Sequence, residues 1–117
     1  MAFVHAGINE SAGINWEIAI TKEMFLEKFP LEKVDFYLDI IAGHISTTKA
    51  SGNKNLHDIY YDGKSHFYID GIDSYANNTW DDERVIPVLI YEETENSRTY
   101  FSLMEDSTLK IISEMEY

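Results

Sequence analysis

The chain contains no cysteine. That single absence excludes a disulfide framework, a thiolate metal site and a cysteine nucleophile. Basic residues are also scarce, 9 against 21 acids. A chain so poor in Lys and Arg lacks the means to neutralise phosphates, so direct nucleic-acid binding is not expected. No apolar run approaches the roughly 18 residues of a membrane span. The N-terminal stretch Met-Ala-Phe-Val-His-Ala-Gly has neither a basic n-region nor an apolar h-region, and a cytoplasmic location is the expectation. Phosphate loops, dinucleotide fingerprints, zinc helices and Ser/His/Asp signatures are all missing. The expectation is therefore a protein without cofactor or metal that is not an enzyme.

What the chain does have is negative charge, unevenly placed. Its 117 residues carry a net −12, of which −2 falls in residues 1–57 and −10 in residues 58–117. Hydrophobic residues make up 44% and aromatics 14%, enough for a buried core rather than a disordered acidic tail. The length predicts one domain over residues 1–117.

Patterning predicts the elements. Ile14, Trp16, Ile18 and Ile20 alternate with polar residues and predict a strand. Thr21 is placed to cap a helix from Lys22, with Met24, Phe25 and Phe29 on one side. Pro30 ends or kinks that helix and suits the first turn of a second, in which Leu31, Val34, Leu38 and Ile41 recur at helical spacing before Gly43. Residues 44–57 read as a loop, with a possible short strand from Ile45 to Thr48. Ile59–Tyr61 and His66–Ile69 flank Asp62-Gly63, a strong hairpin signal. An acidic connection follows, from Asp70 to Glu83. Val85–Tyr91 reads as a buried strand with Pro87 marking an edge or bulge, and Thr99–Met104 as its partner. Leu109–Met115 could be strand or helix, with Thr108, Ile111 and Ile112 favouring strand. The sum is an α+β domain: an antiparallel sheet of about five to six strands, with one or two N-terminal helices on one face. The other face would be open to a partner.

Few residues point to chemistry. His44, His57 and Lys64 could in principle run acid–base cleavage, and His66 adds a further titratable group, but their spacing is undiagnostic. Asp58, Asp62 and Gly63 match three positions of a calcium loop, yet Ile69 stands where the bidentate glutamate belongs. Asn9-Glu10-Ser11 and Asn77-Asn78-Thr79 fit the glycosylation pattern by chance. The informative segment runs from Asp58 to Glu83, where acids alternate with Tyr60, Tyr61, Phe67, Tyr68, Tyr75 and Trp80. Large aromatics anchor interfaces at little entropic cost, and neighbouring carboxylates pair with a partner's Arg and Lys. The partner-binding residues expected on this basis are Asp58, Asp62, Asp70, Asp73, Tyr75, Trp80, Asp81, Asp82 and Glu83.

Short, acidic, cysteine-free and rich in Asp, Glu, Tyr and Trp, the chain resembles in composition the bacterial immunity proteins paired with contact-dependent growth inhibition toxins. The resemblance implies a cytoplasmic inhibitor that blocks the active-site cleft of a cognate toxin, commonly a basic nuclease. Two other functions fit the same residues. One is a phage-type DNA mimic, which would need acids spaced like duplex phosphates. The other is a small enzyme using His44, His57 or His66.

Overall fold

A computed structural model describes residues 1–28, 31–71 and 86–117. The architecture is α+β, with two sheets and a few short helices. The first sheet contains β1 (Ala2–Val4), β2 (Ile40–Ser46), β3 (Tyr60–Tyr61) and β4 (His66–Asp70) in the order β1-β2-β4-β3. Its first three neighbours run parallel, and β3 pairs antiparallel to β4. The second sheet is an antiparallel meander of β5 (Leu89–Glu93), β6 (Ser97–Leu103) and β7 (Leu109–Glu116). The single antiparallel sheet expected from sequence is thus corrected to one mixed and one antiparallel sheet, seven strands in all among the described residues.

The mixed sheet exists because β2 can be buried on both faces. Ile40, Ile41 and Ala42 are each 2% exposed, the continuous apolar run that a covered parallel strand requires. On one face Ala42 and Tyr68 join Ala6, Ile45 and Ala50 under α2 (Thr47–Ser51). On the other, Ile41 and Phe67 meet Tyr100 of the second sheet, with the Phe67 and Tyr100 rings 4.2 Å apart. The second sheet therefore faces the first through Leu89, Tyr91, Tyr100, Ile112 and Met115.

Two expected elements are replaced. Residues 31–39 form no helix; Val34 and Tyr37 are 54% and 57% exposed, and Ile41 belongs to β2. The helical spacing from Leu31 to Ile41 loses to the burial available to Ile40–Ala42 in the sheet centre. The alternation Ile14–Ile20 is not a strand either. Glu10–Asn15 is a 3-10 helix followed by turns, Ile14 and Ile18 are 81% and 86% exposed, and the Trp16 indole donates to the Tyr37 hydroxyl at 3.0 Å.

The remaining expectations hold in part. A helix, α1 (Lys22–Glu27), starts at Lys22, with the Thr21 hydroxyl accepting from Met24 N at 3.2 Å. It is followed in the middle of the chain by α2, inside the stretch expected to be a loop. There Ser46 caps the first turn and Gly52, at φ 72°, ends the helix in the left-handed region that glycine tolerates. The hairpin of β3 and β4 pairs Tyr60 with Tyr68 and Tyr61 with Phe67. Residues 109–116 are strand. The buried strand expected over Val85–Tyr91 is shortened: β5 begins at Leu89, the proline lies ahead of the ladder, and Ile86 and Val88 are exposed. No described helix is long and apolar enough to cross a membrane.

Candidate partner-binding surface and a buried charge centre

The nine residues expected to bind a partner do not share one role. Asp73, Tyr75, Trp80, Asp81, Asp82 and Glu83 lie outside the described residues. Asp62 turns inward. Its Oδ1 accepts from the backbone N–H groups of Lys64 (2.9 Å), Ser65 (3.2 Å) and His66 (3.1 Å), which fixes the β3–β4 turn. Its Oδ2 lies 2.5 Å from His66 Nδ1. Its side chain is 9% exposed, so a partner would not reach it as a free carboxylate. Asp70 ends β4, half-buried, in register with Ser46.

Asp58 is the expected residue that reaches a surface feature. Its Oδ1 accepts from Ile59 N and from the Ser102 hydroxyl, each at 2.7 Å, which ties the approach to β3 onto β6. It then lines a cleft of about 500 Å³ with Leu103, Met104, Glu105, Asp106 and Thr108. Glu105 and Asp106 belong to the β6–β7 turn and are exposed. The Thr108 amide (3.0 Å) and hydroxyl (2.5 Å) both donate to Asp106, and these bonds hold its carboxyl below the usual carboxylate range. The cleft combines three carboxylates with two apolar walls. The sequence reading missed Glu105 and Asp106; their signal was the run Glu-Asp-Ser-Thr between two β-forming segments.

The outer face of the second sheet continues from this cleft. Strand alternation sends Tyr100, Arg98 and Ser102 toward the first sheet, where each has a partner. Register then places Ile90 and Glu92 of β5, Thr99, Phe101 and Leu103 of β6, and Leu109, Ile111, Glu114 and Glu116 of β7 on the opposite face. A register shift between Tyr100 and Phe101 lets Ile112 turn inward while Ile111 stays outward. Leu103, Leu109 and Ile111 are 38%, 51% and 57% exposed.

A second constellation lies inside the first sheet. His66, 3% exposed, has Asp62 at Nδ1 and Glu10 at Nε2, both at 2.5 Å. With a carboxylate at each nitrogen both ring nitrogens donate, which is the imidazolium form. Burial works against that charge, but the hydrogen bond and charge of Glu10, then those of Asp62, outweigh it and raise the His66 pKa. Glu10 is raised, chiefly by burial. Glu32 is lowered in spite of its burial, because Glu10 and Lys28 hydrogen-bond to it. Lys28 reaches Glu32 at 3.0 Å and donates to the Ile8 carbonyl at 2.8 Å. A Cβ on Gly7 would collide with the Lys28 stem, so only glycine lets that chain cross. The space left among Glu10, Lys28, Glu32, His66 and Tyr68 is about 10 Å³, the size of a single water rather than a substrate.

The histidines considered for catalysis have separate surroundings. His57 Nδ1 donates to the Gly71 carbonyl at 3.0 Å, His44 lies against His5 with ring centroids 4.7 Å apart, and Lys64 Nζ donates to the Lys33 carbonyl at 2.9 Å. Among the described residues no group of three or more His, Asp or Glu is arranged to hold a metal. A further polar link joins the sheets: the Tyr100 hydroxyl donates to Asp39 Oδ2 at 2.7 Å, and Arg98 Nε lies 3.1 Å from the same oxygen. Compared with known proteins, the chain matches no family model, no curated protein and no solved structure.

Proposed function

We propose that this chain is a small acidic binding protein that neutralises a basic protein partner. Its most concrete form is an immunity protein that inhibits a bacterial toxin, a nuclease, by blocking the active-site cleft. The observation that carries the reading is the exposure of the acids on the second sheet. Glu92, Glu93, Glu95, Glu105, Asp106, Glu114 and Glu116 are all exposed, while Arg98 is spent on Asp39 and Lys110 stands as the other base of that sheet. Unlike Asp62, these acids leave their charge available to a partner. Two of them, Glu105 and Asp106, line with Asp58 a cleft whose apolar walls, Leu103 and Met104, supply surface to bury. Such a surface attracts a cationic protein at long range and repels nucleic acid.

The test is association with the basic nuclease domain encoded by a neighbouring gene, followed across a salt series. Steered association reaches about 10⁸ M⁻¹s⁻¹ at low salt and falls steeply as salt screens it. Absence of binding at low salt, or a complex whose association rate ignores salt, would count against the proposal.

A further inference from the structure

On the outer face of the second sheet an apolar half adjoins an acidic end. Ile90, Phe101, Leu103, Leu109 and Ile111 occupy the half toward the β6–β7 turn; Glu92, Glu114 and Glu116 lie toward the β5–β6 turn, and no base stands on that face among the described residues. Strand spacing and rise give three strands of about seven residues a face of roughly 14 by 23 Å, on the order of 300 Å². The apolar residues take roughly half of that face, less than the few hundred Å² of a functional patch that stands by itself. Even the whole face is well below the roughly 800 Å² that one side of a stable protein interface buries, so the glutamates and the turns beside the sheet must take part in binding.

The charge of the acidic end selects the occupant. A second copy would bring another chain of net −12 against this one, with no base on either face among the described residues to offset the repulsion. A cationic surface with an apolar anchor beside its charges meets both requirements: its Arg and Lys pair with the three glutamates, and its anchor covers Phe101 and Ile111. We infer that the outer face of the β5-β6-β7 sheet is the docking surface for a basic protein, held by its apolar half and registered by the three glutamates at its other end. This inference rests on the basic-partner reading above and specifies where that partner sits.

The experiment uses the whole chain and a short peptide of alternating arginine and leucine, with a serine-for-arginine peptide as control. Amide shifts are followed by NMR at low salt, and affinity is measured for the wild type, for the triple variant E92K/E114K/E116K, and for Ile111→Ser. All four side chains are exposed, and circular dichroism checks that the variants keep the fold. The expected result is that shifts concentrate on Ile90, Phe101, Leu103, Leu109 and Ile111. The charge reversal weakens binding by about tenfold or more, Ile111→Ser weakens it by about fivefold or more, and the control peptide does not bind. Binding that maps elsewhere, or that survives the triple reversal within about twofold, overturns the docking surface and leaves the basic-partner reading standing. Lack of any binding overturns both. Sedimentation as a dimer that Ile111→Ser dissociates would give the face to a second copy and also overturn the inference.

Discussion

Replacing His66 with glutamine tests the buried charge centre most directly. The imidazolium separates two carboxylates, Glu10 and Asp62, whose side chains are 4% and 9% exposed. Glutamine can donate to one of them and leaves the other without its cation. Breaking a buried ion pair by removing one partner costs about 3–5 kcal/mol. Burial raises the pKa of Glu10, so it takes up a proton more readily than an ordinary glutamate, and this offsets part of that loss. At pH 6 the expected loss is therefore about 3 kcal/mol, or roughly 12 °C in Tm at about 4 °C per kcal/mol for a domain of this size. The wild type should also carry a pH signature of definite sign. A histidine whose folded pKa is raised contributes stability that is complete below its unfolded value of about 6.5. Between that value and the raised folded one, the unfolded chain has lost its proton and the folded chain keeps it. Stability falls there with rising pH, by up to about 1.4 kcal/mol per pH unit for this one proton. Urea unfolding of both proteins from pH 5 to pH 9 measures the loss and the slope together. A glutamine variant that loses less than about 1 kcal/mol at pH 6, or that keeps the wild-type decline above pH 6.5, would refute the assignment of His66 as the charged keystone.

Three further predictions concern packing. Tyr100→Phe removes the hydroxyl that donates to buried Asp39 and should cost about 1–3 kcal/mol by urea unfolding, with less effect if Asp39 is changed to Asn first. Gly7→Ala places a methyl on the Lys28 stem and should cost about 1–3 kcal/mol by overpacking; an unchanged melting temperature would show that Lys28 relocates freely. Phe67→Ala empties a fully buried site between the sheets and should cost about 3–5 kcal/mol, measured by chemical denaturation.

Local signals in the sequence carried the local elements. Thr21 marks α1, Asp62-Gly63 marks the β3–β4 hairpin, and the β-branched run near Ile111 marks β7. The long-range elements were hidden by ambiguity of period. Leu31, Val34, Leu38 and Ile41 fit a helix, but Ile41 is consumed by a parallel strand whose partners, Phe3 and Phe67, lie far away in sequence. Ile14 and Ile18 satisfy the strand pattern without being buried, so alternation there reports no packing. The site was divided in the same way. Asp62 and His66 are four residues apart and readable around one turn, whereas Glu10 approaches from 56 residues away and nothing in its local context announces it. Asp58 was assigned to a binding surface on its charge, and the structure shows that charge partly used to hold Ser102.

The pairing of the two sheets also bears on how the chain folds. Every strand contact of the β5-β6-β7 meander is between sequence neighbours, whereas the mixed sheet requires Ala2 to find Ile40 and Ile40 to find His66. Local pairings close quickly and distant parallel ones slowly. During synthesis the order is reversed: the mixed sheet leaves the ribosome first, while Tyr100, which covers Phe67, arrives late. Until the last third of the chain is made, Ile41 and Phe67 present an uncovered apolar surface beside unpaired strand edges, the condition under which nascent chains aggregate or recruit chaperones. The Phe67–Tyr100 contact thus sets the moment at which the newborn chain becomes safe.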